Sequence, residues 1–127
     1  MHYDQIIIIG MVAMLAVVLF GTGALLQLVS YACLGKNLKF GIPGHDEERM
    51  STLRTDGIYR FSRNPMYVGF FLVMAGSSLY TSNSFVWALA LFATVVHHMI
   101  VLREERFLSE RFGSEWNRYA SHVRRYI

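Results

Sequence analysis

Two stretches carry residues able to handle a charged small molecule. The first is Ser62-Arg63-Asn64-Pro65-Met66-Tyr67, where the chain passes from polar to apolar composition. Asn is a favoured N-cap and Pro a favoured first helical residue, so a helix is expected to begin here with its free N–H groups and positive dipole end facing water. Such an end accepts a carboxylate. The second is the adjacent pair Glu104-Glu105, just after an apolar block. Spacing alone favours plainer readings for both: a well-capped helix with an interfacial Arg and Tyr, and a solvated acidic face paired with Arg103 or Arg106. The sharper alternative is that one acid turns inward to hold a cationic ligand. His97 and His98 lie inside an apolar block, where ionisable side chains are costly. As helical neighbours they point about 100° apart and suit one metal ion poorly. A neutral histidine bonded across to another helix is the simpler reading. His97 shares a face with Glu104, and His98 with Glu105. Cys33 is the only cysteine, so neither an internal disulfide nor a thiolate metal cluster can form within one chain.

The elements that must position these residues are mostly apolar. Of 127 residues 54% are hydrophobic and 17% charged, and the apolar ones fall in long blocks, which points to lipid as the solvent. The block over residues 6–34 is long enough, at 1.5 Å per residue, to cross a hydrocarbon core of about 30 Å with tilt. No Lys or Arg precedes it and it exceeds a typical signal-peptide core, so it reads as a spanning helix. Residues 35–64 form a polar connector with turns at Gly41, Pro43, Gly44 and at Asp56-Gly57. Blocks over 65–80 and 85–102, separated by Thr81-Ser82-Asn83-Ser84, read as a helical hairpin whose first arm barely spans. Residues 103–127 read as an amphipathic interfacial tail: Phe107, Leu108 and Phe112 form one stripe, Gly113 interrupts, and Trp116, Tyr119 and Val123 form another. The small residues Gly10, Gly21, Gly23, Ala24, Gly69, Gly76 and Ser77 permit close helix approach.

The expected architecture is therefore all-α: one membrane domain over 1–127, about three transmembrane helices, the last two a hairpin, and an amphipathic tail. All twelve Lys and Arg fall in the connector (Lys36, Lys39, Arg49, Arg54, Arg60, Arg63) or the tail (Arg103, Arg106, Arg111, Arg118, Arg124, Arg125). The positive-inside rule then puts the amino terminus outside and both basic segments in the cytoplasm, at an inner, plasma or endoplasmic reticulum membrane. A formal charge of +3 with mixed signs beside apolar blocks fits a membrane surface better than nucleic acid. The hairpin brings Glu104-Glu105 near Asn64-Pro65 although about forty positions separate them. So few helices bury little against one another, and a homodimer is expected.

Taken together, Thr55-Asp56-Gly57-Ile58-Tyr59-Arg60, Arg63-Asn64-Pro65-Met66-Tyr67-Val68-Gly69, Glu104-Glu105, Phe112-Gly113, Trp116, Tyr119 and Val123-Arg124-Arg125-Tyr126-Ile127 resemble the carboxyl-terminal half of the isoprenylcysteine carboxyl methyltransferase and phospholipid methyltransferase superfamily. The resemblance covers roughly residues 50–127. It implies an integral membrane methyltransferase that takes S-adenosylmethionine from the cytosol and a lipophilic or small acceptor from the bilayer. It further implies that the residues matching Arg63, Asn64, Pro65, Tyr67 and Gly69, with Glu104 and Glu105, form the cofactor pocket. Tyr59 and His98 join them as further candidates. Three departures stand out. The usual Arg-His-Pro is Arg63-Asn64-Pro65; the usual Gly-Pro-Tyr-Arg is Gly57-Ile58-Tyr59-Arg60; and one helix precedes the connector where relatives usually have more.

Methyl transfer from a sulfonium is an in-line displacement that needs no metal; the protein must align the reactants and exclude water. On this reading Arg63 and the helix start hold the cofactor carboxylate, Glu104 or Glu105 holds its ammonium or ribose hydroxyls, and Tyr67 lines the adenosine or methyl region. Arg63 and Glu105 are the residues closest to catalysis. A carboxylate acceptor would call on Arg124 or Arg125, and a thiol or amine on a base. The alternatives are methylation of a phospholipid amine or a thiol, and a noncatalytic scaffold retaining the fold. A soluble methyltransferase fold is not supported, since no Gly-rich strand-to-helix turn precedes an acid at the required distance.

Overall fold

A computed structural model describes residues 2–34 and 53–127. The turn expected at Gly41, Pro43 and Gly44, and the connector cations Lys36, Lys39 and Arg49, lie outside the described residues. Within them the order is α1 (Tyr3–Leu34), a single 3-10 turn (Gly57–Arg60), α2 (Pro65–Thr81), α3 (Ser84–Phe112) and α4 (Ser114–His122). The expected all-helical architecture is what the chain adopts.

Among the described residues two helices are long and apolar enough to cross a membrane, α1 and α3. A core helix of a soluble protein would be mostly buried. In each of these only 11% of the most apolar window is buried. The side chains left outside on α1, among them Ile7, Met14, Val18 and Leu28, have lipid as their natural solvent. At 17 residues α2 is about 25 Å long, short of a hydrocarbon core of about 30 Å. It sits between α1 and α3 and contacts both.

The α1–α2 seam is tightly packed, and the close approach is made by backbone. A Cβ placed on Gly69 would lie 2.6 Å from the Gly23 carbonyl oxygen, and one on Gly76 would lie 2.6 Å from that of Ala16. A Cβ on Gly23 would collide in turn with the carbonyl oxygen of Gly69. Lipid tails are as apolar as leucine, so helices in a bilayer gain by close van der Waals contact, and small residues allow it. Only part of the expected small-residue set serves this seam. Gly10 and Gly21 face open space, since a Cβ added at either would meet nothing within 4 Å.

The hairpin tip is closed by two caps. Ser82 ends α2 in the left-handed conformation, and the Asn83 side chain accepts from the N–H groups of Phe85 (2.8 Å) and Val86 (3.4 Å) to start α3. At the other end the structure departs from the expected layout. α3 does not stop where the apolar block ends at Leu102 but continues through the charged residues to Phe112. The first stripe of the tail is thus the last turns of α3. Gly113 breaks the helix at φ 54°, ψ −117°, a conformation open to glycine and strained for other residues. The second stripe is α4, whose Trp116 and Tyr119 are buried against the protein instead of being offered to lipid. The physical reason is that the Tyr119 hydroxyl finds acceptors there, donating to the carbonyls of Tyr59 (2.7 Å) and Ser62 (3.4 Å).

Candidate active site

α2 and α3 place the residues singled out by type at the end of the hairpin opposite its tip. Pro65 is the first residue of α2 and is fully buried. Asn64 occupies the N-cap position, but its side chain makes no capping bond. The expected cap is replaced by a tertiary role. Asn64 Nδ2 donates to Glu105 Oε1 at 3.1 Å and to the Arg125 carbonyl at 3.0 Å. The helix start offers only N–H groups, so the Nδ2 donor has no acceptor there and finds one in the ionised carboxylate, which makes the stronger hydrogen bond.

Glu105 is the centre of that arrangement and is 8% exposed. Besides Asn64 it meets Arg125, whose Nε donates to Oε2 at 2.8 Å, and Arg63, whose Nε lies 3.4 Å from Oε1 without hydrogen-bond alignment. The Arg63 guanidinium also sits over the Trp116 ring, 5.6 Å from its centroid. Arg125, an expected contact for an acceptor carboxylate, is therefore engaged inside the protein; Arg124 is exposed and lends only its carbonyl, to the N–H of Arg63 at 3.0 Å.

Glu104 stands differently. It is half-buried, and the Tyr67 hydroxyl donates to its Oε1 at 3.3 Å. Tyr59 belongs to the same neighbourhood. Burial pushes its hydroxyl up to about 12, and the Cys33 thiol and the Glu104 carboxylate add to the rise. Burial likewise raises Tyr119 well above the ordinary tyrosine value, with Tyr59 adding to it. The end of α1 closes this side: a Cβ on Gly57 would lie 3.1 Å from Cys33 Sγ.

The histidines separate as their helical spacing requires. His97 bonds within its own helix, Nδ1 to the Ala93 carbonyl at 2.7 Å, and stacks on Phe70 with centroids 4.1 Å apart. The expected hydrogen bond across to another helix is thus a ring contact. His98 Nδ1 lies 2.6 Å from the Tyr126 hydroxyl, on the Glu105 side. Gly69, grouped with the cofactor residues by resemblance, packs on Gly23 and Gln27 of α1. Ser62, Tyr119 and Tyr126 stand in the stretches singled out by sequence, but without an assigned role. Their sequence signal was slight: two tyrosines in a tail and a serine before Arg63. A separate apolar groove of about 370 Å³ lies between α1 and α2 around Phe20, Gly76 and Tyr80, near the tip and away from all of these groups.

The arrangement has two halves, set by adjacent glutamates that leave α3 about 100° apart. One is a half-buried acid beside two tyrosines, and the other is a buried acid under an amide and two guanidiniums, with the uncapped start of α2 between them. A group that carries both a cation and a carboxylate fits such a junction.

Comparison with known proteins gives the family. The phospholipid methyltransferase family matches residues 11–115. An uncharacterized protein of Haemophilus influenzae is 33% identical over 63 residues, covering 49% of this chain and all of its own length. Protein-S-isoprenylcysteine O-methyltransferase of Schizosaccharomyces pombe is 39% identical over 74 residues, 56% of this chain and 30% of its own. Protein-S-isoprenylcysteine O-methyltransferase A of Arabidopsis thaliana is also 39% identical over 74 residues, 56% of this chain and 36% of its own. The chain thus spans about a third of these two methyltransferases. No solved structure matches it. A match over most of the chain, carried by helices that bring the arginine-asparagine-proline start and the paired glutamates to one end of a membrane hairpin, places this protein in the phospholipid methyltransferase family.

Proposed function

We propose that this protein is an integral membrane methyltransferase that uses S-adenosylmethionine to methylate a lipophilic or small acceptor delivered from the bilayer. The observation that carries the reading is the junction of Glu104 and Tyr67 with the uncapped start of α2. The names of the two isoprenylcysteine methyltransferases support the reaction class. The residues fit the cofactor by charge. Its amino acid end is a zwitterion, and the α2 start with Arg63 suits the carboxylate while Glu104 suits the ammonium or the ribose hydroxyls. Bound there, the cofactor would supply an electrophilic methyl on a sulfonium.

What remains for the chain is alignment and exclusion of water. Orientation of this kind contributes up to roughly 7–11 kcal/mol in well-aligned systems. Pro65 and Asn64 hold the α2 start, Tyr67 keeps Glu104 in place, and Tyr59 closes the side toward α1 while remaining protonated at neutral pH. Of the two tail arginines that suit an acceptor carboxylate, Arg125 is committed to Glu105 and Arg124 is exposed. The absence of Lys or Arg at residues 81–84 and their abundance at the other end orient the site toward the cytoplasm.

Calorimetric titration of the protein in lipid nanodiscs with S-adenosylmethionine tests this directly. Saturable binding that weakens at least about tenfold in Glu104→Gln is expected, since one charge-assisted contact carries about 1.5–3 kcal/mol. No binding by the wild-type chain would leave a scaffold that retains the fold. Incubation with methyl-labelled cofactor and fractionated membrane lipids then separates carboxylate, amine and thiol acceptors.

A further inference from the structure

Glu104 and Glu105 are neighbours with different surroundings, and the difference lies in the last residues of the chain. After α4 ends at His122 the backbone turns extended at Val123 (φ −122°, ψ 127°) and passes across the first turn of α2. Residues 124–126 are held there at several points. The Arg124 carbonyl accepts from the Arg63 N–H at 3.0 Å. The Arg125 carbonyl accepts from Asn64 Nδ2 at 3.0 Å and from Ser62 Oγ at 3.5 Å. The Arg125 side chain donates to Glu105, the Tyr126 hydroxyl meets His98, and the Tyr126 ring meets Phe71 edge-on at 5.5 Å. A non-helical segment costs about 1–2 kcal/mol per residue to order, so this strap persists only because its polar groups find fixed partners.

We infer that Glu105 is a positioning residue: it ties the strap formed by residues 123–127 across the start of α2, and the strap in turn presents Arg63 to the cofactor. This rests on the functional reading above and divides the labour within the acidic pair. Both Glu105 carboxylate oxygens are already committed to protein donors. The Arg63 backbone N–H is held by the Arg124 carbonyl, while its guanidinium lies beside Glu105 and over the face of Trp116. Freeing the strap removes the first of these contacts and loosens the second, so the guanidinium no longer has one orientation. The chemistry at the methyl group is untouched, and the effect falls on cofactor capture. Asn64 suits this role because an amide donates to Glu105 and to the strap carbonyl through one nitrogen.

The test uses the full chain in nanodiscs as wild type, Glu105→Gln, Arg125→Gln and the double variant. Hydrogen exchange of the Arg63 amide is read without cofactor, and KM for S-adenosylmethionine and kcat are read separately. Each single variant is expected to speed that exchange about tenfold or more and to raise KM by a similar factor, with kcat within about threefold. The double variant should be no worse than Glu105→Gln alone, since the link that Arg125→Gln removes is one that Glu105→Gln has already broken. The inference is overturned if Arg125→Gln exchanges and binds like wild type while Glu105→Gln loses binding, which would make Glu105 a cofactor ligand itself. Should Glu105→Gln fail to fold, Arg125→Gln decides alone, its side chain being 39% exposed and tolerant of change: wild-type exchange at Arg63 refutes the strap. Because exchange is measured without cofactor, a protein that binds no S-adenosylmethionine overturns the functional reading and leaves this result standing.

Discussion

The α1–α2 seam and the cap over the start of α2 are both tightly packed, yet they are built from opposite materials. At the seam, Gly23, Gly69 and Gly76 bring backbone against backbone with no charge involved. At the cap, Glu105, Asn64, Arg63, Arg125 and Tyr119 form a polar network over an ordered loop. The difference follows from the solvent each faces. Within lipid a helix pair gains nothing from hiding apolar surface and must gain from contact distance. At the aqueous end, burying polar groups is tolerable only when each has a partner.

The comparison breaks first at the cap. Glu105→Ala leaves Asn64, Arg63 and Arg125 without their shared acceptor, and a loss of about 3 kcal/mol is expected, the low end for a broken buried pair because Arg125 is partly solvated. Thermal unfolding in detergent measures it. At the seam, Gly69→Ala forces its Cβ onto the Gly23 carbonyl and should cost roughly 1–3 kcal/mol. Gly21→Ala sharpens the point, because its Cβ meets nothing: the same substitution on α1 should be neutral or stabilising by up to about 1 kcal/mol. Equal losses in the two variants would show that the seam is not set by contact distance. Tyr119→Phe removes the hydroxyl that joins α4 to the Tyr59 carbonyl and is expected to cost about 1 kcal/mol.

A further effect is confined to alkaline pH. Tyr59 titrates at about 12 in the folded protein against 10.0 unfolded, so above pH 10 the unfolded chain binds fewer protons and stability falls. That contribution is complete below pH 10 and is lost as the pH rises through 12. A Tyr59→Phe protein should show a shallower decline in unfolding temperature across that window.

Much of the fold was legible in the residue order. Block lengths located α1, α2 and α3, and Ser82-Asn83 marked the tip. Asn64-Pro65 marked the start of α2, and the hairpin implied that the glutamates would approach it. The end of α3 was not legible. A helix continues through Arg103 to Arg111 without a change in hydrogen bonding, so hydropathy reports where lipid ends and not where the helix does. The stripe of α4 was visible as amphipathic, but a stripe does not name its partner, and Trp116 and Tyr119 turned to the protein.

The sequence by itself determined that this chain lives in lipid, which helices it forms and at which end its polar and charged residues gather, because those depend on local composition and on the 3.6-residue period. It also carried the family resemblance through side chains whose types and order are explicit. Only the tertiary structure decided how the two glutamates differ. Adjacent positions on a helix point about 100° apart, and which of them meets Arg125 and which meets Tyr67 depends on where residues distant in the chain come to rest.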